Sequence, residues 1–227
     1  MIDGWDLTDT DLHPDLTDHV RVEDLAGMQM PVVRHPLVLF LPYAPAMNKT
    51  INELYERKLA AIEEAFREED WYRVVHMHER PYRLDAFLTI PAGQLSDEDY
   101  WALLSEIWTD SENISENLTV WKQLLTSDRP GRQRLMSETE RNALRRLPET
   151  VEVFRGYSHP DAAEGMSWTV DEDRAWWFAA RFEPEQAWVA SARVSRAAVI
   201  AYLDRRGEQE ILLNPEDLTA RRDDQIV

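Results

Sequence analysis

The chain has 227 residues, of which 44% are hydrophobic and nine are tryptophan, enough to bury a core of its own. Its 43 acidic and 25 basic side chains leave a net charge of −18, a field that repels nucleic-acid backbones and anionic membranes and suits a basic protein partner. The absence of cysteine excludes disulfide frameworks and thiolate metal sites, and no apolar run approaches the length of a membrane span.

Residues 1–30 carry eight acidic side chains against one arginine and read as an irregular acidic arm, a solvated face punctuated by Pro14. The opening "MIDGWDLTDTDLHPDL" lacks the basic and apolar stretches of a Sec signal. A cytoplasmic location is therefore expected, in the producing cell or in one into which the protein is delivered. Residues 32–42 read as one short strand or an extended arm. From Asn48 onward, Ile51, Leu54, Leu59, Ile62 and Phe66 recur near a 3.6-residue period and predict an amphipathic helix. "WYRVVHMHER" predicts another, and Pro81 is placed to start the next in its first turn. "LSDEDYWALLSEIW" opens with Ser96 three residues before Asp99, an N-cap signal. "SENLTVWKQLL" is a further amphipathic stretch. "MSETERNALRRLP" pairs Ser137 with Glu140 in a capping box, and Pro148 ends that helix.

After Pro148 the period changes. "VEVFRG" alternates, "GMSWTV" is short and β-like, and "DEDRAWWFAARF" reads as one helix capped by Asp171. "AWVASARV", "AAVIAYL" and "EQEILL" are apolar segments, the first and last of them strand-like. Helices followed by strands predict an α+β protein: a mainly helical region 1–147 and a β-rich region 148–227, as two parts or one compact domain.

The N-terminal region offers little chemistry. "HMHER" has the beginning of a zinc-protease helix, but Tyr82 stands where the second histidine is needed. His76 and His78, two apart, diverge on a helix, so no metal role is assigned. Gly-rich phosphate loops and serine nucleophile elbows are absent from the sequence.

The C-terminal third is different. By period-two alternation Val151, Val153 and Arg155 share one strand face, so Arg155 occupies a core slot. An inward guanidinium needs an anion, because an unpaired buried charge is very costly. Two partners fit: one of the glutamates Glu208 and Glu210, or a phosphate, which arginine matches bidentately. Gly156 allows a ligand to approach the backbone closely. Ser167 and Thr169 share a face of their strand, with Trp168 opposite. In "RRGEQEILLNP" a tight turn ends at Gly207; if a strand follows, Glu208 and Glu210 lie side by side while Gln209 points away.

An arginine ending one strand, Ser-Trp-Thr on a second and Glu-Gln-Glu leading an Ile-Leu-Leu strand occur in that order. The set, over residues 151–218, resembles the mono-ADP-ribosyltransferase superfamily, in the branch whose signature reads arginine, Ser-x-Ser/Thr, Glu-x-Glu. "SWTVDEDRAWWFA" is similar to that family's second strand and following helix, including Ala175 and Phe178-Ala179. The spacings are shorter than in the arginine-targeting bacterial toxins, and Ser167-Trp168-Thr169 stands where Ser-Thr-Ser is commoner. The resemblance implies an ADP-ribosyltransferase-like β-sandwich that takes NAD as substrate without a metal. It implies Glu210 as the catalytic glutamate on the ribose 2′-hydroxyl, held by Ser167. Arg155 would face the pyrophosphate, the Gly156 backbone the nicotinamide amide, and Thr169 would brace two strands. Glu208 would deprotonate an arginine of a target protein, and Tyr157, Trp168 or Trp177 would cover the nicotinamide. An NAD glycohydrolase and an inactive scaffold that only binds a partner remain as alternatives. In a further one, Arg155 simply pairs with Glu208 or Glu210.

Overall fold

The protein is described by a computed structural model covering residues 11–111 and 113–226, so residues 1–10 of the expected acidic arm lie outside the described residues. The chain divides into two compact units. One comprises residues up to Leu95 with Asp110 and Ser111; the other comprises Ser96–Thr109 and the chain from Asn113 onward. The division falls at residue 95, whereas the hydrophobic period changes at Pro148. Helices between these points group with the C-terminal strands, and polar contacts tie them there: Ser105 accepts a hydrogen bond from Arg205, and Glu140 accepts one from the Asp204 amide.

In the first unit, α1 (Pro14–Thr17) precedes an antiparallel sheet of β1 (Val20–Leu25), β2 (Met28–His35) and β3 (Val38–Phe40), in that order. The expected irregular arm is thus a strand from Val20, and the short strand or extended arm expected over 32–42 is part of a hairpin, the end of β2 with β3. Ala26 and Gly27 both take positive φ, 55° and 82°, which suits a tight two-residue hairpin turn. Arg34 on β2 donates twice to Glu23 on β1, at 2.9 and 2.8 Å. The sheet packs against α2 (Asn48–Glu68) through Val33, Val38, Ile51, Tyr55 and Ile62. Of the expected stripe, Leu59 and Phe66 are exposed, and Tyr55 and Ala65 take the buried positions. From residue 11 the acidic segment is tied down rather than solvated: Leu12 and Leu16 are buried, and Asn52 of α2 bonds Asp11 and His13. The unit continues with α3 (Trp71–His76) and α4 (Arg83–Leu88), the latter led in by a turn containing Pro81.

The second unit opens with α5 (Asp97–Asp110, whose last residue falls in the first unit), α6 (Leu118–Leu125) and α7 (Glu138–Arg146). Ser96 Oγ accepts from the Asp99 amide, and the Ser137–Glu140 capping box is made in both directions. Then come β4 (Thr150–Tyr157), β5 (Ser167–Thr169), α8 (Glu172–Ala180) capped by Asp171, β6 (Trp188–Ser195), β7 (Ala201–Leu203), β8 (Glu210–Leu212) and β9 (Thr219–Gln225). The fold is α+β, with antiparallel sheets.

Where a β-sandwich is expected, the described strands of the second unit form one six-stranded sheet in the order β7-β8-β5-β4-β6-β9. Strand β9 is not foreseen by hydrophobic patterning because its segment, TARRDDQ, is charged and exposed, as befits an edge strand. β4 pairs with β6 along its whole length, from Thr150↔Ser195 to Tyr157↔Trp188, yet it meets β5 only at Phe154↔Thr169. Two three-stranded halves are therefore joined at one point. No described helix is long and apolar enough to cross a membrane.

Candidate active site

With a single pairing between them, β4 and β5 part on either side of it, and both strands line a cleft of about 310 Å³. Arg155, Gly156 and Tyr157 of β4 line it, as do Ser167, Trp168 and Thr169 of β5, and Glu208 and Glu210. Trp177, the remaining candidate, does not: it lies half exposed on α8.

Arg155 sits on the core face of β4, as alternation predicts, with Val151, Val153 and Tyr157. Its Nε donates to Ala162 O at 2.9 Å and its Nη1 to Ser167 O at 2.5 Å. The guanidinium thus ties β4 to β5 where backbone pairing has ceased. Gly165 is pressed against it; a Cβ there would stand 2.1 Å from Nη2. Among the described residues no carboxylate pairs with Arg155, so the alternative Arg–Glu pair is not formed. Glu208 pairs instead with Arg206 at 3.0 Å, and Glu210 is held by neutral donors. Burial lowers the Arg155 pKa to about 10, while the nearby charge of Glu210 acts to raise it.

Glu210, 7% exposed, is the most chemically distinctive group in the unit. Ser167 Oγ donates to its Oε1 at 2.5 Å, and the Trp108 indole Nε1 donates to the same oxygen at 3.1 Å. Burial pushes its carboxyl above the usual carboxylate range, against the pull of those two bonds. Glu208 reaches the same cleft by a different route from the one alternation gives. The strand begins only at Glu210, and Gln209 takes a left-handed φ of 46° that turns the chain. Thr169 Oγ1 receives the Asp171 amide and donates to Glu208 O at 2.9 Å, linking β5 to this bend.

Gly156 lines the cleft, and the α8 helix also requires a glycine there: a Cβ would stand 1.8 Å from Ala175 O and 2.7 Å from Ala179 N. Of the three aromatic candidates, Tyr157 and Trp168 line the cleft and Trp177 does not. Trp168 is buried, its indole N–H on Gly165 O, and Tyr157 is stacked on Trp188 with its hydroxyl on Asp223. Phe178 and Phe182 line the cleft from α8 and just after it, with Arg181 between them. Arg181 lies over the rings of both, at 4.9 and 4.7 Å, and no described carboxylate pairs with it. Phe178 was recoverable from helical spacing, being three residues after Ala175, which packs on Gly156. Trp108 was not, since it lies 102 residues from its partner.

The arrangement is a cleft with two arginines, aromatic rings and a pair of carboxylates. It suits a substrate carrying anionic groups and a carbon that becomes positive in the transition state. Among the described residues no cluster of three or more His, Asp or Glu is arranged to hold a metal ion. No family model, curated protein or solved structure matches the chain.

Proposed function

We propose that the chain is a mono-ADP-ribosyltransferase that cleaves NAD and transfers ADP-ribose to an arginine of a protein target, the strands around the cleft being its NAD-binding core. The observation that carries this reading is the Ser167–Glu210 hydrogen bond in a cleft shared with Arg155, three residues far apart in sequence. The bond between ribose C1′ and the nicotinamide ring nitrogen breaks, its electron pair leaving with neutral nicotinamide. The carboxylate of Glu210 stabilises the positive charge left on the ribose. A guanidinium nitrogen of the target then bonds to C1′ and gives its proton to Glu208. Arg155 and Arg181 supply positive potential for the pyrophosphate, Arg155 while bracing Ser167 by its carbonyl. Phe178 and Phe182 offer faces for a planar ring. Since the ionised form of Glu210 is the one that acts, cleavage rises with pH through its raised pKa.

The test is incubation with labelled NAD, alone and with cell lysate, following nicotinamide release and label on protein. The parent should do both. Glu210→Gln should lower nicotinamide release by about a hundredfold or more. Glu208→Gln should suppress protein labelling while release without target continues. Release that never labels protein would make the chain an NAD glycohydrolase; neither release nor label would leave a scaffold that only binds.

A further inference from the structure

We infer that Trp108, on α5, is a positioning residue for this site: it fixes the Glu210 carboxylate so that Oε1 is committed to the protein and Oε2 is presented to the substrate. The inference rests on the reading of Glu210 as the acting carboxylate. An indole N–H is a donor only, and in a core it needs an acceptor. Trp108 is 1% exposed, and its N–H goes to Glu210 Oε1 at 3.1 Å. Ser167 Oγ donates to that same oxygen, so both protein donors converge on one side of the carboxylate. Among the described residues Oε2 receives no hydrogen bond. The ring itself cannot drift: it meets Trp121 edge-on at 5.1 Å and 89°, and Leu104 and Ile107 beside it on α5 are buried.

One turn earlier on α5, Ser105 Oγ accepts from Arg205 Nη2 at 3.0 Å. The helix therefore grips the segment 205–210 at both ends, before the bend at Gln209 and after it. Position 108 lies in the stretch where the sequence offers no functional candidate, yet it supplies a donor to the carboxylate. A donor to the charged form also favours ionisation. Removing the N–H while keeping an aromatic ring should make Glu210 harder to ionise and leave its orientation to Ser167 alone.

The experiment is the pH profile of NAD cleavage in the parent and in Trp108→Phe. A charge-assisted bond of ordinary strength predicts that the acid limb of kcat moves up by about one pH unit, with kcat falling more than KM changes. A variant that merely loosened the core would lose folded protein without moving the limb. An unmoved limb in folded Trp108→Phe would overturn the inference. Should that variant fail to fold, the parent decides. The indole N–H resonance of Trp108 should shift as Glu210 titrates, and this titration should vanish in Glu210→Gln. A resonance indifferent to pH in the parent would overturn the placement. Failure of the parent to cleave NAD would refute the proposed function without touching the Trp108–Glu210 contact, which the resonance tests by itself.

Discussion

The two units differ in a buried group that burial shifts: a histidine in the first, a carboxyl in the second. In the first, His13, Tyr55, His35 and His19 form a chain of ring contacts at 4.7, 5.2 and 4.5 Å. His35 Nδ1 accepts the Leu37 amide, which holds that nitrogen unprotonated, and His13 Nδ1 accepts the Asp15 amide. Burial first, then the neighbouring His19, lowers His35 to about 4, with Asp15 opposing; burial lowers His78 as well. In the second unit burial raises an acid, Glu210, while the Arg155 guanidinium, lowered by burial to about 10, stays charged near neutral pH. Desolvation opposes charge of either sign, so the same force makes one unit sensitive to acid and the other to base. For His35 the folded value lies below the unfolded 6.5, so stability is lost as pH falls from there towards 4. For Glu210 the folded value lies above 4.5, so its contribution is complete below 4.5 and is lost as pH rises through the raised value.

The largest effect expected is on the second unit alone. Gly156→Ala drives a methyl group into the α8 backbone, where neither the Ala175 carbonyl nor the Ala179 amide can rotate aside. The cost should be about 1–3 kcal/mol or more, as for other overpacked cores. Hydrogen exchange should accelerate at β6 amides such as Val189 and stay unchanged at Val33 of β2. Acceleration at both would mean the units do not respond separately.

A smaller and opposite change is expected from Glu210→Gln. The amide keeps a carbonyl acceptor for Ser167 and Trp108 but never carries a charge. The variant should be more stable than the parent at pH 8 and no more stable at pH 4. Thermal melts at the two pH values measure this. Equal effects at both would show that the charge, as distinct from the shape, is not what strains the site. Such a gain in stability at the loss of activity is the usual mark of a group retained for function.

The smallest effect concerns the first unit. His35→Asn places a carbonyl where Nδ1 accepts the Leu37 amide and removes the titration. Exchange protection at Val33 should then decline less between pH 6.5 and about 4 than in the parent. An unaltered decline would move the acid sensitivity to His78, whose pKa burial also lowers.

Features settled between near neighbours in the chain are legible in the amino-acid sequence itself. The Ser137–Glu140 box and the Asp171 cap involve residues three apart, so spacing alone states the contact. Alternation places Arg155 on the core face, because the strand period does not depend on what lies opposite. It fails at Glu208, where Gln209 turns the chain before the strand starts. Hydrophobic spacing finds α2 but misjudges Leu59 and Phe66, since which stripe is buried depends on where β2 and β3 lie.

Four things are decided only in three dimensions. Trp108 finds Glu210 across 102 residues, and α8 comes close enough to Gly156 to exclude a side chain. The charged segment of β9 joins the sheet edge beside β6. The cleft itself opens because β4 and β5 pair at one point and then part. Caps, periods and turns belong to the sequence because they are settled within a few residues of backbone. Which buried donor meets which buried acceptor is settled by how whole elements pack, and no spacing along the chain encodes it.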